Sequence, residues 1–413
     1  MNSGSKIVKF IESLEKNIQS NHNKDSIFPE TIAISKKSMS LIHKIMQQME
    51  LATKSWNVTE IKSTKIFNIP KGDHYIHIIE EIKDILENNT TIGKKYSFSI
   101  GSRTFHINIV DFILSNNEER TCVKKMDIMI RKIYVWLFVC SYFSNAECSP
   151  IINIYIYLTK KMKLLPKNNA VLDTIHINTA FTTVCSKKNN EIYIYRKEEW
   201  FKVLIHESFH SFGLDFASMD DENNNKQMFS IFPIKCDLRL YETYTETWAE
   251  MINVIFVSVN SYSCNERYIN MHKLKEIIEK NMYNEIIFSM FQCAKVLHHN
   301  NLKYRELYEK SNESIIKRMN YKENTNVFSY YIVKAILIYH YNDFIEWCYA
   351  NNGSIRFEQN EKNIYSFIHF IKSNYKSNAF LRTMQFLENW FSQNKNKHAE
   401  KWELQTSRMS ITE

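Results

Sequence analysis

The sequence predicts an α+β fold that is predominantly helical, and three observations carry that expectation. Of 413 residues only six are glycine and five are proline, so helix breaks are scarce. All five prolines (Pro29, Pro70, Pro150, Pro166, Pro233) precede residue 235, which favours long uninterrupted helices after it. Residues 151–196 hold three short runs rich in Ile, Tyr and Thr, separated by Lys, Asn and Pro. That is the composition of a small sheet.

Along the chain, apolar residues recur at helical spacing in 5–19, 30–53, 75–88 and 123–144. The stretch KYSFSIGSRTFHINIV reads as a hairpin turning at Ile100-Gly101-Ser102. The runs PIINIYIYLTKK, TIHINTAFTTVC and NEIYIYRK supply the strands of the small sheet. A helix is expected over 198–212, ended by Gly213 in a left-handed cap. After the polar loop SMDDENNNKQ a second helix covers 238–257, with Asp237 as its N-cap. From 265 the pattern is helical almost throughout. The organisation expected is a mostly helical N-terminal domain with a hairpin over 1–148, a central domain over 149–260, a helical C-terminal subdomain over 261–395, and a frayed tail over 396–413.

Composition narrows the function classes. With 44% hydrophobic and 24% charged residues the chain reads as a soluble globular protein. The net charge of +8 is spread in short Lys/Arg groups, which argues against a nucleic-acid footprint. The longest membrane-like stretch, IYVWLFVCSYF at 133–143, is too short to span a bilayer. The start MNSGSKIVKFIESLEK lacks the apolar core of a signal peptide. Eight scattered cysteines without a CxxC read as reduced core thiols. These readings lead to the expectation of a cytoplasmic protein with no membrane partner.

The chemistry is concentrated in VLIHESFHSFGLDF, residues 203–216. On a helix His206 and His210 lie one turn apart, so both imidazoles can reach one ion. Glu207 beside them can hold a water as general base, which is the H-E-x-x-H arrangement. A catalytic metal needs a third protein ligand. In the pattern H-E-x-x-H-x-x-G-x-x-H/D it would stand at 216, but that residue is Phe216, and Asp215 is one place out of register. A later carboxylate remains. LYETYTETWAEMINVIF, residues 240–256, presents Glu242, Glu246 and Glu250 at successive i+4 positions, a like-charge stripe that a cation would stabilise.

HESFH followed by ETWAE resembles the gluzincin zinc metallopeptidases, and the E-x-x-A-E form is similar to that of lethal-factor-like peptidase domains. The resemblance covers roughly 170–255; the overall layout resembles HExxH proteins of large DNA viruses. It implies a zincin-like core with a small mixed sheet, an active-site helix and a helical C-terminal subdomain. By position it implies one Zn2+ per chain held by His206, His210 and Glu246, with Glu207 as base and Glu250 supporting a ligand histidine. Ala249 would let the two helices approach closely. INTAFTT resembles the edge strand with which thermolysin-like enzymes pair extended substrate, which implies backbone contacts from Asn178, Ala180 and Phe181. Tyr241 is the first candidate to stabilise an oxyanion; Tyr330, Tyr331 and the pair His298–His299 stay open. The function implied is hydrolysis of peptide bonds in a peptide or protein substrate through a zinc-bound water activated by Glu207. The alternatives are a non-catalytic zincin-like interaction protein and a protease acting on nucleic-acid-associated proteins.

Overall fold

The computed structural model describes residues 9–14, 33–113, 118–219, 222–263, 270–394 and 401–412. The fold is α+β and predominantly helical, with one mixed six-stranded sheet. The strands are β1 (Lys62–Ile66), β2 (Thr91–Ile100), β3 (Arg103–Phe112), β4 (Ile151–Tyr157), β5 (Ala180–Thr182) and β6 (Asn189–Ile194). Their order is β1-β2-β3-β4-β6-β5. β4 is parallel to β3 and to β6, whereas β5 is antiparallel to β6 and forms one edge.

The hairpin stands as expected: Ile100 pairs with Arg103, and Gly101 takes φ +57°, the positive φ such a tight turn needs. Because Thr104 of β3 pairs with Ile151 of β4, the boundary expected near residue 148 falls inside the sheet. The run TIHINTAFTTVC was expected as a strand. It forms a helical turn, Thr174–Ile177, capped by Asp173, and only three residues of strand. Asp173 and His176 close a capping box there, and this local bonding outweighs β propensity.

The strands alternate with period two, and each face has its own partner. Ile107 and Ile109 of β3, Ile152, Ile154 and Ile156 of β4, and Ile192 and Ile194 of β6 join the main core. Helices Glu119–Phe143 and Trp200–Ser211 pack there, with Trp136 against Phe209 at 6.3 Å. Tyr155, Tyr157, Tyr193 and Tyr195 line the other face and pack under Tyr75, Ile78, Ile82 and Leu86.

Two expectations need correction. The tail was expected to fray; residues 395–400 lie outside the described ones, but Leu404 and Thr406–Ile411 are buried. Glu285, itself fully buried, accepts from Ser410 Oγ at 2.8 Å, Ile411 N at 3.1 Å and Thr412 N at 2.9 Å. Glu199 accepts from Met409 N at 3.1 Å and Ser410 N at 2.7 Å. The polar composition that suggested fraying instead meets buried carboxylates supplied by distant helices. The cysteines were read as all reduced, yet Cys148 and Cys185 form a disulfide across 37 residues of chain. The folding-back of the loop before β6 brings them together, which spacing cannot reveal. Cys122, Cys140, Cys236, Cys293 and Cys348 are free, and Cys264 lies outside the described residues. Among the described residues no helix is long and apolar enough to cross a membrane.

Candidate metal centre

The motif helix, Trp200–Ser211, is buried from Phe201 to Ser211 on every side, not along one stripe. Glu199 precedes it in a left-handed conformation (φ 57°), and Gly213 ends it at φ 63°. Gly213 has a second reason to be glycine: a β-carbon there would lie 2.9 Å from Cys148 Sγ. Packed against this helix is the acidic helix, Leu240–Ser263. Ala249 on it is fully buried.

Three donor atoms converge between the helices. His206 Nε2 and His210 Nε2 are 3.2 Å apart. Glu242 Oε2 lies 3.2 Å from the first and 3.3 Å from the second. Donors held about 2.0–2.1 Å from a tetrahedral ion stand roughly 3.3–3.4 Å from one another, so these atoms form one face of such a tetrahedron. The opposite ring nitrogens face carboxylates of their own. His206 Nδ1 lies 2.8 Å from Glu246 Oε2, and His210 Nδ1 is hydrogen-bonded to Asp215 Oδ2. Each Nδ1–H donates to a carboxylate, so both Nε2 lone pairs aim at the point that the Glu242 oxygen also faces. Two lone pairs and an anionic oxygen at one buried point call for a cation; His206, His210 and Glu242 could hold a metal ion.

With no ion bound, the same carboxylates hold protons on the rings, protons that a bound cation would displace. Burial alone would lower His206, but hydrogen bonds to Glu242 and Glu246 outweigh it and raise the ring to about 8. Burial would likewise lower His210, yet Glu242 and Asp215 raise it well above the usual imidazole range. Against its own burial, Glu242 is held well below the carboxylate range by His210 and His206.

The carboxylate that closes on the rings is therefore Glu242, one turn before the position expected, Glu246. Glu246 instead braces His206 and pairs with Lys202 Nζ at 2.5 Å. Glu250 was expected to support a ligand histidine. It has drifted off that face and pairs with Lys334 Nζ at 2.6 Å, fully buried. The bracing of His210 falls to Asp215.

Glu207 lies beside the three donors, and its side chain has no hydrogen-bond partner among the described residues. Burial pushes it above the usual carboxylate range. It lines a narrow cleft of about 40 Å³ with His206, Asn178, Thr179, Ala180 and Met409, room enough for water. Ala180 belongs to edge strand β5, so Asn178 and Ala180 do border the cleft. The Phe181 ring turns to the other face and stacks on Tyr193 at 4.9 Å.

The hydroxyl facing the cleft is that of Tyr330, not Tyr241. Tyr330 OH donates to Glu242 Oε2 at 3.0 Å from a π-helical segment, Phe328–Val333; such segments frequently mark functional sites. The Tyr241 ring lies edge-on to His210 at 5.8 Å, and its hydroxyl accepts from Arg239 at 3.2 Å. Asp237, expected as a cap, also bonds to Arg239, at 3.0 Å. Tyr331 OH donates to the Ser407 carbonyl, His299 Nε2 lies 2.7 Å from the Ala170 carbonyl, and His298 packs on Phe391. Sequence reasoning missed Lys202 and the role of Asp215; a lysine four residues before His206 was the available signal. No family model, no curated protein and no solved structure matches the chain.

Proposed function

We propose that the protein is a zinc-dependent peptidase whose ion is held by His206, His210 and Glu242. The observation that carries this reading is the triangle of donors with edges of 3.2–3.3 Å, with an unpartnered carboxylate, Glu207, beside it. Two imidazoles and one carboxylate are a ligand set of catalytic zinc sites, which keep a fourth position open. The gluzincin resemblance of HESFH supports the same reading, with the third ligand moved one turn along the acidic helix.

Bound there, zinc would supply a polarised carbonyl and a water acidic enough to react near neutral pH. Glu207 accepts the proton of the attacking water. Its raised affinity for protons suits it to hold that proton and return it to the leaving amine nitrogen. Glu246 and Asp215 keep each Nδ1 protonated, so both Nε2 lone pairs stay available. Tyr330, anchored through its hydroxyl near Glu242, is placed to donate to the negative charge that develops on the carbonyl oxygen. β5 borders the cleft with an edge to which an extended peptide can pair.

The test is Glu207→Gln. The variant is expected to retain about one zinc per chain while peptide hydrolysis falls by roughly 10²–10⁴. Hydrolysis at the wild-type rate in that variant removes Glu207 from the mechanism.

A further inference from the structure

A second cavity, about 400 Å³, lies at the N-terminal end of the motif helix. That size is within the range of small-molecule sites, roughly 300–1,000 Å³. Arg408 and Thr412 wall it, whereas Met409 between them walls the metal cleft. Seven cationic side chains line it against three carboxylates. The carboxylates make contacts within the protein, and of the cations Lys161 pairs with Glu81 and Lys202 with Glu246. Glu199 holds Lys163 at 2.5 Å and the backbone of Met409 and Ser410. Glu198 holds the Lys163 backbone at 2.8 Å and lies 3.7 Å from Arg408. Asp111 accepts from the N–H of Phe112 at 2.9 Å.

Lys132 is the informative residue. The four fully buried lysines of the described chain all have acceptors: Lys163 on Glu199, Lys202 on Glu246, Lys334 on Glu250, and Lys295 on the carbonyls of Glu403 and Thr406. Lys132, partly buried, lines the cavity with its ammonium 3.8 Å from the Phe201 ring centre, and no described group accepts a hydrogen bond from it. Burial pushes that ammonium down to about 8, a cost that a nearby anion would remove. Lys125, Lys160 and Lys197 stand exposed around the cavity, without a carboxylate partner among the described residues. The first turn of the twelve-residue motif helix adds its positive end. Trp200 and Phe201 add aromatic surface.

We propose that this cavity binds a small phosphate-bearing polyanion, with Lys132 as its inner anchor and Lys125 and Lys197 as outer contacts. Cation excess, size and an ammonium without an acceptor all point to such a ligand. A large anionic surface such as a membrane would reach the exposed lysines but not Lys132.

The experiment is calorimetric titration of the full chain with inorganic pyrophosphate and, separately, with ADP. Saturable binding to one site, weakening as salt rises, is expected for the wild type. Lys132→Met should weaken it at least tenfold with the thermal midpoint little changed, since the methionine keeps the packing against Phe201. Lys125→Ser/Lys197→Ser, confined to exposed positions, should weaken it too. ADP tighter than pyrophosphate identifies a nucleotide resting on the aromatic wall; equal affinities identify a free polyphosphate. No saturable binding of either probe, or wild-type affinity in both variants, overturns the proposal.

Discussion

Lys202 Nζ lies 2.5 Å from one oxygen of Glu246, whose other oxygen lies 2.8 Å from His206 Nδ1. All three side chains are buried. The ammonium fixes the carboxylate that fixes the ring, so a residue one turn before the motif determines where a donor nitrogen points. Removing one member of a buried ion pair strands the other charge, at a cost of about 3–5 kcal/mol. Lys202→Met should lose that much in denaturant unfolding, and Lys202→Met/Glu246→Gln should recover most of it. A double-variant loss equal to the sum of the Lys202→Met and Glu246→Gln losses would show that the pair is not coupled.

Metal content separates the two glutamates. Glu242→Ala should abolish stoichiometric zinc, because among the described residues only that carboxylate reaches both Nε2 atoms. Glu246→Gln removes support behind His206 and should weaken zinc binding roughly 10–100-fold without abolishing it. Competition with a chromophoric chelator measures both, and the reverse ranking restores Glu246 as the ligand.

Tyr330→Phe tests the hydroxyl that touches Glu242. If it donates to the oxyanion, kcat should fall by about 10²–10³ with KM little changed. Tyr241→Phe, whose hydroxyl rests on Arg239, should leave kcat within a few-fold of wild type. A larger fall from Tyr241→Phe than from Tyr330→Phe reverses the assignment.

Glu388 gives a pH dependence distant from the His206, His210 and Glu242 cluster. Burial raises it to about 7, although it accepts from Tyr304 N at 2.6 Å. The folded chain therefore keeps a proton that the unfolded chain has released above an ordinary carboxylate pKa of about 4.3. Its contribution is fully present below that value and is lost as pH rises to about 7, a decline of at most about 4 kcal/mol. Glu388→Gln keeps an acceptor for Tyr304, so stability curves from pH 4 to 8 should be flatter than those of wild type.

Local signals in the sequence were legible where the physics is local. The Gly101 hairpin, the Ile/Tyr alternation of β4 and β6, and Gly213 at the end of the motif helix follow from turn geometry and period-two burial. The choice among Glu242, Glu246 and Glu250 was not legible. Residues four apart drift around a helix by about 40° per step, so the crossing of two helices selects the carboxylate that meets the rings. The disulfide, the packed C-terminal segment and the bracing by Asp215 all depend on chain segments brought together from a distance.

The three-residue length of β5 sets how a visiting chain could be chosen. An edge so short offers an incoming strand one or two backbone hydrogen bonds, each contributing about 1 kcal/mol net. Generic extended segments would therefore gain little by docking there, and sheet-to-sheet association between copies is equally discouraged. Discrimination has to come from side chains seated near Asn178, Thr179 and Met409. For the proposed peptidase, so small a ledge predicts a narrow preference for particular residues next to the bond to be cut.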